Sequence, residues 1–303
     1  MISASPARHL TGAAQQCDGG HLGALLLVPA DATAVGGVAA GALVNLPFYA
    51  AHRSSIEVGE FKRFVAAAAA CELGPATWRS ATFATDPAKS NNTLVLRAEG
   101  IGKPERLTCL SAQLAASGNP APFTMSATEG QPELVFTDGS RGWVVNGCTV
   151  VIASSNWIDA TKARIAGRGR SVLDGALMPV VARAGERKHV WMAGALASGL
   201  GGGGGLFADA QDFAASIDLT GGFAFSLSFQ FLDAAAARGG AKLLRDQFDM
   251  MKGLLPQLGL PAAVIDTVGI SDAGQFVTLG ARGNESDLEA VRQALAKMIL
   301  GGS

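Results

Sequence analysis

The chain has 303 residues, with 24 basic against 25 acidic side chains and a net charge of −1. Apolar residues make up 49% and charged residues only 16%, enough core material for two domains but without the basic stripe that nucleic-acid binding requires. A surface this short of charge repels itself weakly and favours association with a partner protein, a membrane surface or another copy.

Residues 1–25 read as a disordered N-terminal segment, lacking the apolar run of a secretory signal. Cys17 within it is a candidate lipidation site, the alternative being a thiol in a disordered tail. Residues 19–51 carry one formal charge, Asp31. Pro29, Gly36, Gly37, Gly41, Asn45 and Pro47 break the stretch up, which argues against a membrane-spanning helix. It predicts instead a strand at Ala34–Val38 and a helix over Ala40–Ala50.

Apolar residues at helical spacing predict helices over Phe61–Cys71 and Glu105–Ala116, with a strand at Thr93–Arg97 between them. Asn146-Gly147 predicts a two-residue hairpin turn that pairs Val145 with Cys148 and Trp143 with Val150. That register puts Trp143, Val145, Cys148, Val150 and Ile152 on one face and makes Cys148 an inert buried thiol. Lys162, Arg164, Arg168 and Arg170 cluster at a helix end, where cations suit the dipole; contact with anionic headgroups is the alternative.

Gly199 and Gly201–Gly205 lack the Lys and Ser/Thr of a phosphate loop and read as a connector. Between Asp212 and Phe231, only a three-residue loop, Thr220-Gly221-Gly222, keeps apolar residues on matching faces, pairing Ile217 with Phe225. Asp233–Leu255 is predicted as a helix with a stripe of Leu243, Leu244, Phe248, Met251 and Leu255. Ser286-x-x-Glu289 reads as a capping box ahead of a last helix.

The run Gly147–Ala153, followed by Asn156, Asp159 and Arg164, resembles Gly274–Gly280, followed by Asn284, Asp287 and Arg292. The strand before Glu105–Ala116 likewise parallels Phe225–Phe231 before Asp233–Leu255. The expectation is an α+β fold of two similar halves, 26–147 and 148–303, each a mostly antiparallel sheet covered by helices.

Four cysteines allow three full pairings. With Cys148 on a core strand and Cys17 in the tail, Cys71 and Cys109 on neighbouring helices form the natural disulfide, against the alternative of four reduced thiols. His9, His21, His52 and His189 are dispersed without metal-ligand spacing. Gly269–Gly274 lacks the spacing of a nucleophile elbow. No catalytic, cofactor-binding or metal-ligating residue is assigned, and no cofactor is expected.

The stretches Val28–Val38, Cys71-Glu72-Leu73-Gly74-Pro75, Leu107–Leu110, Gly147–Ser155 and Gly169–Gly175 resemble an uncharacterised, lipoprotein-like family of myxobacterial cell-envelope proteins. The resemblance implies an extracytoplasmic location, in the periplasm or at the outer membrane, a Cys71–Cys109 bridge and no catalysis. The expected function is a non-catalytic structural or protein-interaction role in the envelope, with peripheral membrane association as one form of it. The alternatives are a carrier of an apolar ligand or lipid between the halves and, third, an enzyme.

Overall fold

The computed structural model describes residues 17, 20–116, 121–128, 131–196 and 209–299. The Gly199–Gly205 run lies outside them, as does most of the 1–25 segment. Among the described residues twelve strands and ten α-helices form an α+β fold, and the strand pairs within each unit are antiparallel. The chain divides into two compact units, Met1–Met178 and Pro179–Ser303.

In the first unit the helices are α1 (Gly20–Leu25), α2 (Ala40–Val44), α3 (Pro47–Ile56), α4 (Gly59–Ala70), α5 (Pro104–Ala116) and α6 (Ile158–Ile165). Its strands are β1 (Ala34–Val38), β2 (Trp78–Asp86), β3 (Asn91–Ala98), β4 (Phe123–Thr128), β5 (Gln131–Phe136), β6 (Arg141–Asn146) and β7 (Thr149–Ala153). They lie in the order β1-β2-β3-β7-β6-β5-β4. One helix expected over Ala40–Ala50 is two. Pro47 cannot donate into a continuing ladder, so it starts α3 at its first turn while Asn45 closes α2.

The two faces of this sheet differ. One is apolar: α4 and α5 cover it, burying Ala68, Leu73, Leu107, Leu110, Phe123 and Val150 together. The other is mixed, setting Ser80, Thr82, Arg97 and Thr149 among Val95, Val151 and Ala153, all buried. Ser80 pairs with Arg97 across β2–β3, and Arg97 with Thr149 across β3–β7, which puts these polar residues side by side.

The β6–β7 hairpin corrects the expected register. Val144 faces Val150 and Trp143 faces Val151, with the ladder slipping between Val144 and Asn146. The turn is therefore Gly147-Cys148, held by the Cys148 N–H donating 2.9 Å to Asn146 Oδ1. One bulged residue moves Trp143 to the face opposite Val144. There the Lys162 ammonium sits 5.6 Å from its ring centre.

In the second unit β8 (Val190–Ala195), β9 (Ala210–Asp218), β10 (Phe223–Phe231), β11 (Gly269–Ala273) and β12 (Phe276–Gly283) lie in the order β11-β12-β10-β9-β8. Its helices are α7 (Met178–Ala184), α8 (Ala234–Lys252), α9 (Ala262–Ile265) and α10 (Glu285–Ile299). Ile217 pairs with Phe225, the register that the three-residue loop requires, and Gly221 and Gly222 take positive φ of 68° and 128° to close it. Asp233 caps α8 by accepting 2.8 Å bonds from the N–H groups of Ala235 and Ala236. The first half of α8 buries Ala237 and Ala241 against Phe229, Phe231 and Val277. The last helix starts two residues earlier than Ser286-x-x-Glu289 suggests. Asn284 is the cap, exchanging 3.0 Å bonds with Asp287.

Candidate functional site

A charged cleft of about 730 Å³ opens in the first unit, with walls drawn from three elements. Arg53 comes from α3, Glu72 to Thr77 from the turn after α4, and Glu99, Gly100, Lys103 and Arg106 from the β3–α5 connection.

Its first wall starts at the end of α4. Leu73 N–H bonds back to Ala68 O at 2.8 Å and Glu72 N–H to Ala69 O at 3.2 Å, a closing motif that places Glu72 at a φ of 57°. Glycine is usual at that position because a Cβ is strained there by about 1 kcal/mol. The glutamate at this position pairs its carboxylate with Arg106 across the cleft. Gly100 on the far wall has φ 73°, and a Cβ there would stand 1.9 Å from Arg106 Nη1. A glycine at 100 is what lets the Arg106 guanidinium lie in the wall.

Cys71 and Cys109 are joined, with Cα atoms 5.7 Å apart. The bond ties the C-cap of α4, one residue before Glu72, to the middle of α5, three residues after Arg106. It links the two walls covalently. A second disulfide, Cys17–Cys148, was not expected. Cys148 lies in the hairpin turn and not on a strand, so its sulfur reaches the chain ahead of α1. A Cys17 sulfur in this bond is not free to form the thioether of a lipid-modified cysteine. The same turn backs the cleft, since Gly102 N–H donates to Gly147 O at 3.1 Å.

Arg53 is held by a lock at the end of α3. Its Nε donates 2.8 Å to Glu57, which also accepts the Tyr49 hydroxyl. Burial and the Glu57 carboxylate push the Tyr49 phenol up to about 12. Burial opposes ionisation of Glu57, but the bonds from Tyr49 and Arg53 outweigh it and hold the carboxyl below its ordinary value.

Beside the cleft runs an uncovered apolar face. Val58, Phe61 and Phe64, spaced at three residues at the start of α4, are 57%, 39% and 38% exposed, and they continue to the surface the apolar stripe whose Val65 and Ala68 are buried. Both phenylalanines lie 6.2 Å from the ring of Trp78. Trp78 directly follows Thr77 of the cleft wall and donates its indole N–H 2.8 Å to Leu73 O. Lys62 and Arg63 are exposed next to the aromatic pair. In the second unit, Met250, Met251, Leu254 and Leu258 are similarly exposed at the end of α8. Leu243 of the expected stripe is exposed too, whereas Leu244, Phe248 and Leu255 are half-buried. Among the described residues no helix is long and apolar enough to cross a membrane.

A polar interior lies under α1. The Arg97 side chain is buried and donates 2.7 Å to Gly20 O, and His21 Nδ1 lies 2.8 Å from Thr82 Oγ1. Burial, aided by the Arg97 charge, lowers the His21 imidazole to about 4. His21 was noted only as one of four scattered histidines. Its role depends on the cross-strand placing of Thr82 and Arg97, which no local spacing reveals.

The basic cluster after Lys162 has another use than a headgroup contact. Arg164 is buried, its Nε donating 2.9 Å to Leu26 O and its Nη1 2.9 Å to Arg168 O. It pins the turn that follows α1. Neither His52, stacked 4.6 Å from Phe48, nor His189, which accepts 3.1 Å from Leu219 N–H, lies in the cleft lining.

No family model matches the chain, and no curated protein matches it. Solved structures do. Crystal forms I, III and IV of TP0453 superpose with TM-scores of 0.53, 0.51 and 0.53 at 10%, 10% and 12% identity. Each match covers 89% of this chain and 96%, 97% and 96% of TP0453. The likeness is one of fold.

Proposed function

We propose that this is a non-catalytic protein of the extracytoplasmic envelope that docks on a lipid surface through the uncovered face of α4. The observation that carries it is the Val58–Phe61–Phe64 stripe lying open against Trp78. A helix buries its apolar stripe where a protein core is available, and an exposed one marks a contact. Lys62 beside the stripe matches the negative potential of anionic lipid, Arg63 being paired with Glu60, and the aromatic rings suit the headgroup boundary. Two disulfides support an oxidising compartment, where such bonds persist. Membership of the envelope family that the sequence resembles belongs to the same reading.

Internal duplication is part of this reading. The orders β1-β2-β3-β7-β6 and β8-β9-β10-β12-β11 are the same path, with a long helix after the third strand of each, α5 and α8. The pair β7 and β12, matched by their sequences, occupies the same place in both. The β4–β5 hairpin is then an insertion in the first copy. The β6–β7 hairpin spans the 147/148 repeat boundary, and the compact units divide after Met178.

Co-flotation with vesicles tests the docking. Replacing Phe61 and Phe64 by serine should weaken binding to vesicles with anionic lipid at least about tenfold, since two half-buried rings are withdrawn from the interface. Equal flotation of the variant and the wild type would end the proposal.

A further inference from the structure

The charge balance of the cleft leaves one cation over. Arg53 is offset by Glu57, Arg106 by Glu72, and Glu99 by Arg79. Lys103 makes no ion pair among the described residues, although it lines the cleft. Both carboxylates of the lining are thus already neutralised by guanidinium groups, and Arg53, Lys103 and Arg106 converge from two separate stretches of chain. Two guanidiniums and an ammonium at one opening suit a tetrahedral oxyanion, which takes forked donors and a point charge together. The charged lining, and not the volume, favours a polar group over an acyl chain, which would have to bury against guanidinium, ammonium and carboxylate groups. An apolar tail has its own surface, because the Trp78–Phe61–Phe64 cluster begins where the Thr77 wall ends.

We propose that the cleft is a binding site for a phosphate-bearing anion, with Lys103 as its uncompensated contact and Arg53 and Arg106 flanking it. The proposal deepens the docking reading and rests on it for the source of the phosphate, a lipid headgroup. Every cationic contact is on a segment fixed by the Glu57 lock or the Cys71–Cys109 bond, so the site is organised before a ligand arrives.

The test is calorimetric titration of the full oxidised chain with two probes, inorganic phosphate and soluble dihexanoyl phosphatidic acid. Lys103→Gln should weaken binding of the lipid probe by about tenfold, the effect of one lost charge-assisted contact. Lys103→Arg should keep it, and Lys242→Gln, on the exposed surface of α8, should leave it unchanged. Binding of the lipid probe without inorganic phosphate supports the headgroup source. Equal affinity for both supports the anion site and assigns it to free phosphate. If neither probe binds, or if Lys103→Gln binds as the wild type does, the site is overturned. The Phe61/Phe64 double serine variant separates the two readings. Retained titration with lost flotation upholds both. Retained titration with unchanged flotation sinks the docking and leaves the anion site standing.

Discussion

Replacing Cys71 and Cys109 by alanine opens a loop of 38 residues. In the chain-entropy picture, closing a loop of that length restricts the unfolded chain by about 4 kcal/mol, an upper figure where the unfolded state keeps structure. Cys71 is also buried among Ala68, Leu73 and Leu107, so the packing lost with its sulfur adds to the deficit. The same arithmetic gives about 5 kcal/mol for Cys17–Cys148, which spans 131 residues. Both losses fall in the first unit, because all four cysteines precede Met178. The assay is urea unfolding read by pulsed hydrogen exchange and mass spectrometry, which follows peptides of each unit separately. Peptides from β2, β3 and α5 should lose protection at markedly lower urea in Cys71→Ala/Cys109→Ala, while peptides from β10, α8 and β12 keep the wild-type midpoint. A midpoint for the first unit within about 1 kcal/mol of wild type would refute the reasoning, since neither loop closure nor packing could then be holding the cleft walls.

Two further outcomes follow from particular residues. His21 is neutral in the fold with its pKa lowered to about 4, so the unfolded chain binds more protons between that value and its ordinary 6.5. The stability it lends is complete above about pH 6.5 and falls as pH drops toward 4, by roughly 2–3 kcal/mol; urea midpoints of wild type and His21→Asn at pH 7.5 and 4.5 should differ in slope, and parallel losses would count against it. In the second unit a Cβ at Gly240 would stand 2.6 Å from the Phe231 ring. Gly240→Ala should therefore cost about 1–3 kcal/mol by overpacking, against the gain in helix propensity that an open site would show, and a stabilised variant in thermal melts would contradict the packing.

How much was legible in the sequence depended on how local the deciding interaction was. The β9–β10 register could be read because five alternating apolar residues on β10 must face one core, and only one loop length allows it. The β6–β7 register could not, because Val145 bulges and the turn moves to Gly147-Cys148, a choice set by the Asn146 side chain accepting from Cys148 N–H. That one-residue slip carries the second disulfide with it: a strand cysteine facing the core is a thiol, whereas a turn cysteine can reach Cys17. Cleft residues were missed for a related reason. Arg53, Glu72, Lys103 and Arg106 form no short motif; the packing of α4 on α5 brings the last three together, and Arg53 joins them from α3.

All four cysteines, and both disulfides, belong to the first unit. The first unit buries a charged Arg97, a neutral His21 and a row of hydroxyls on one face of its sheet. Desolvating a guanidinium is costly even where it finds a carbonyl, and the buried Val95, Val151 and Ala153 on the same face offset that cost. The unit also devotes Phe61, Phe64 and Val58 to its surface, removing aromatic area from the core that a stand-alone fold would use. The second unit has no cysteine and closes α8 over Phe229, Phe231 and Val277 in the ordinary way. Covalent closure of long loops is the one large stabilising contribution that requires no further apolar burial. Both bonds lie in the first unit, one joining the cleft walls and the other holding the β6–β7 turn, so reducing conditions remove loop closure from that unit alone and should lower its stability first.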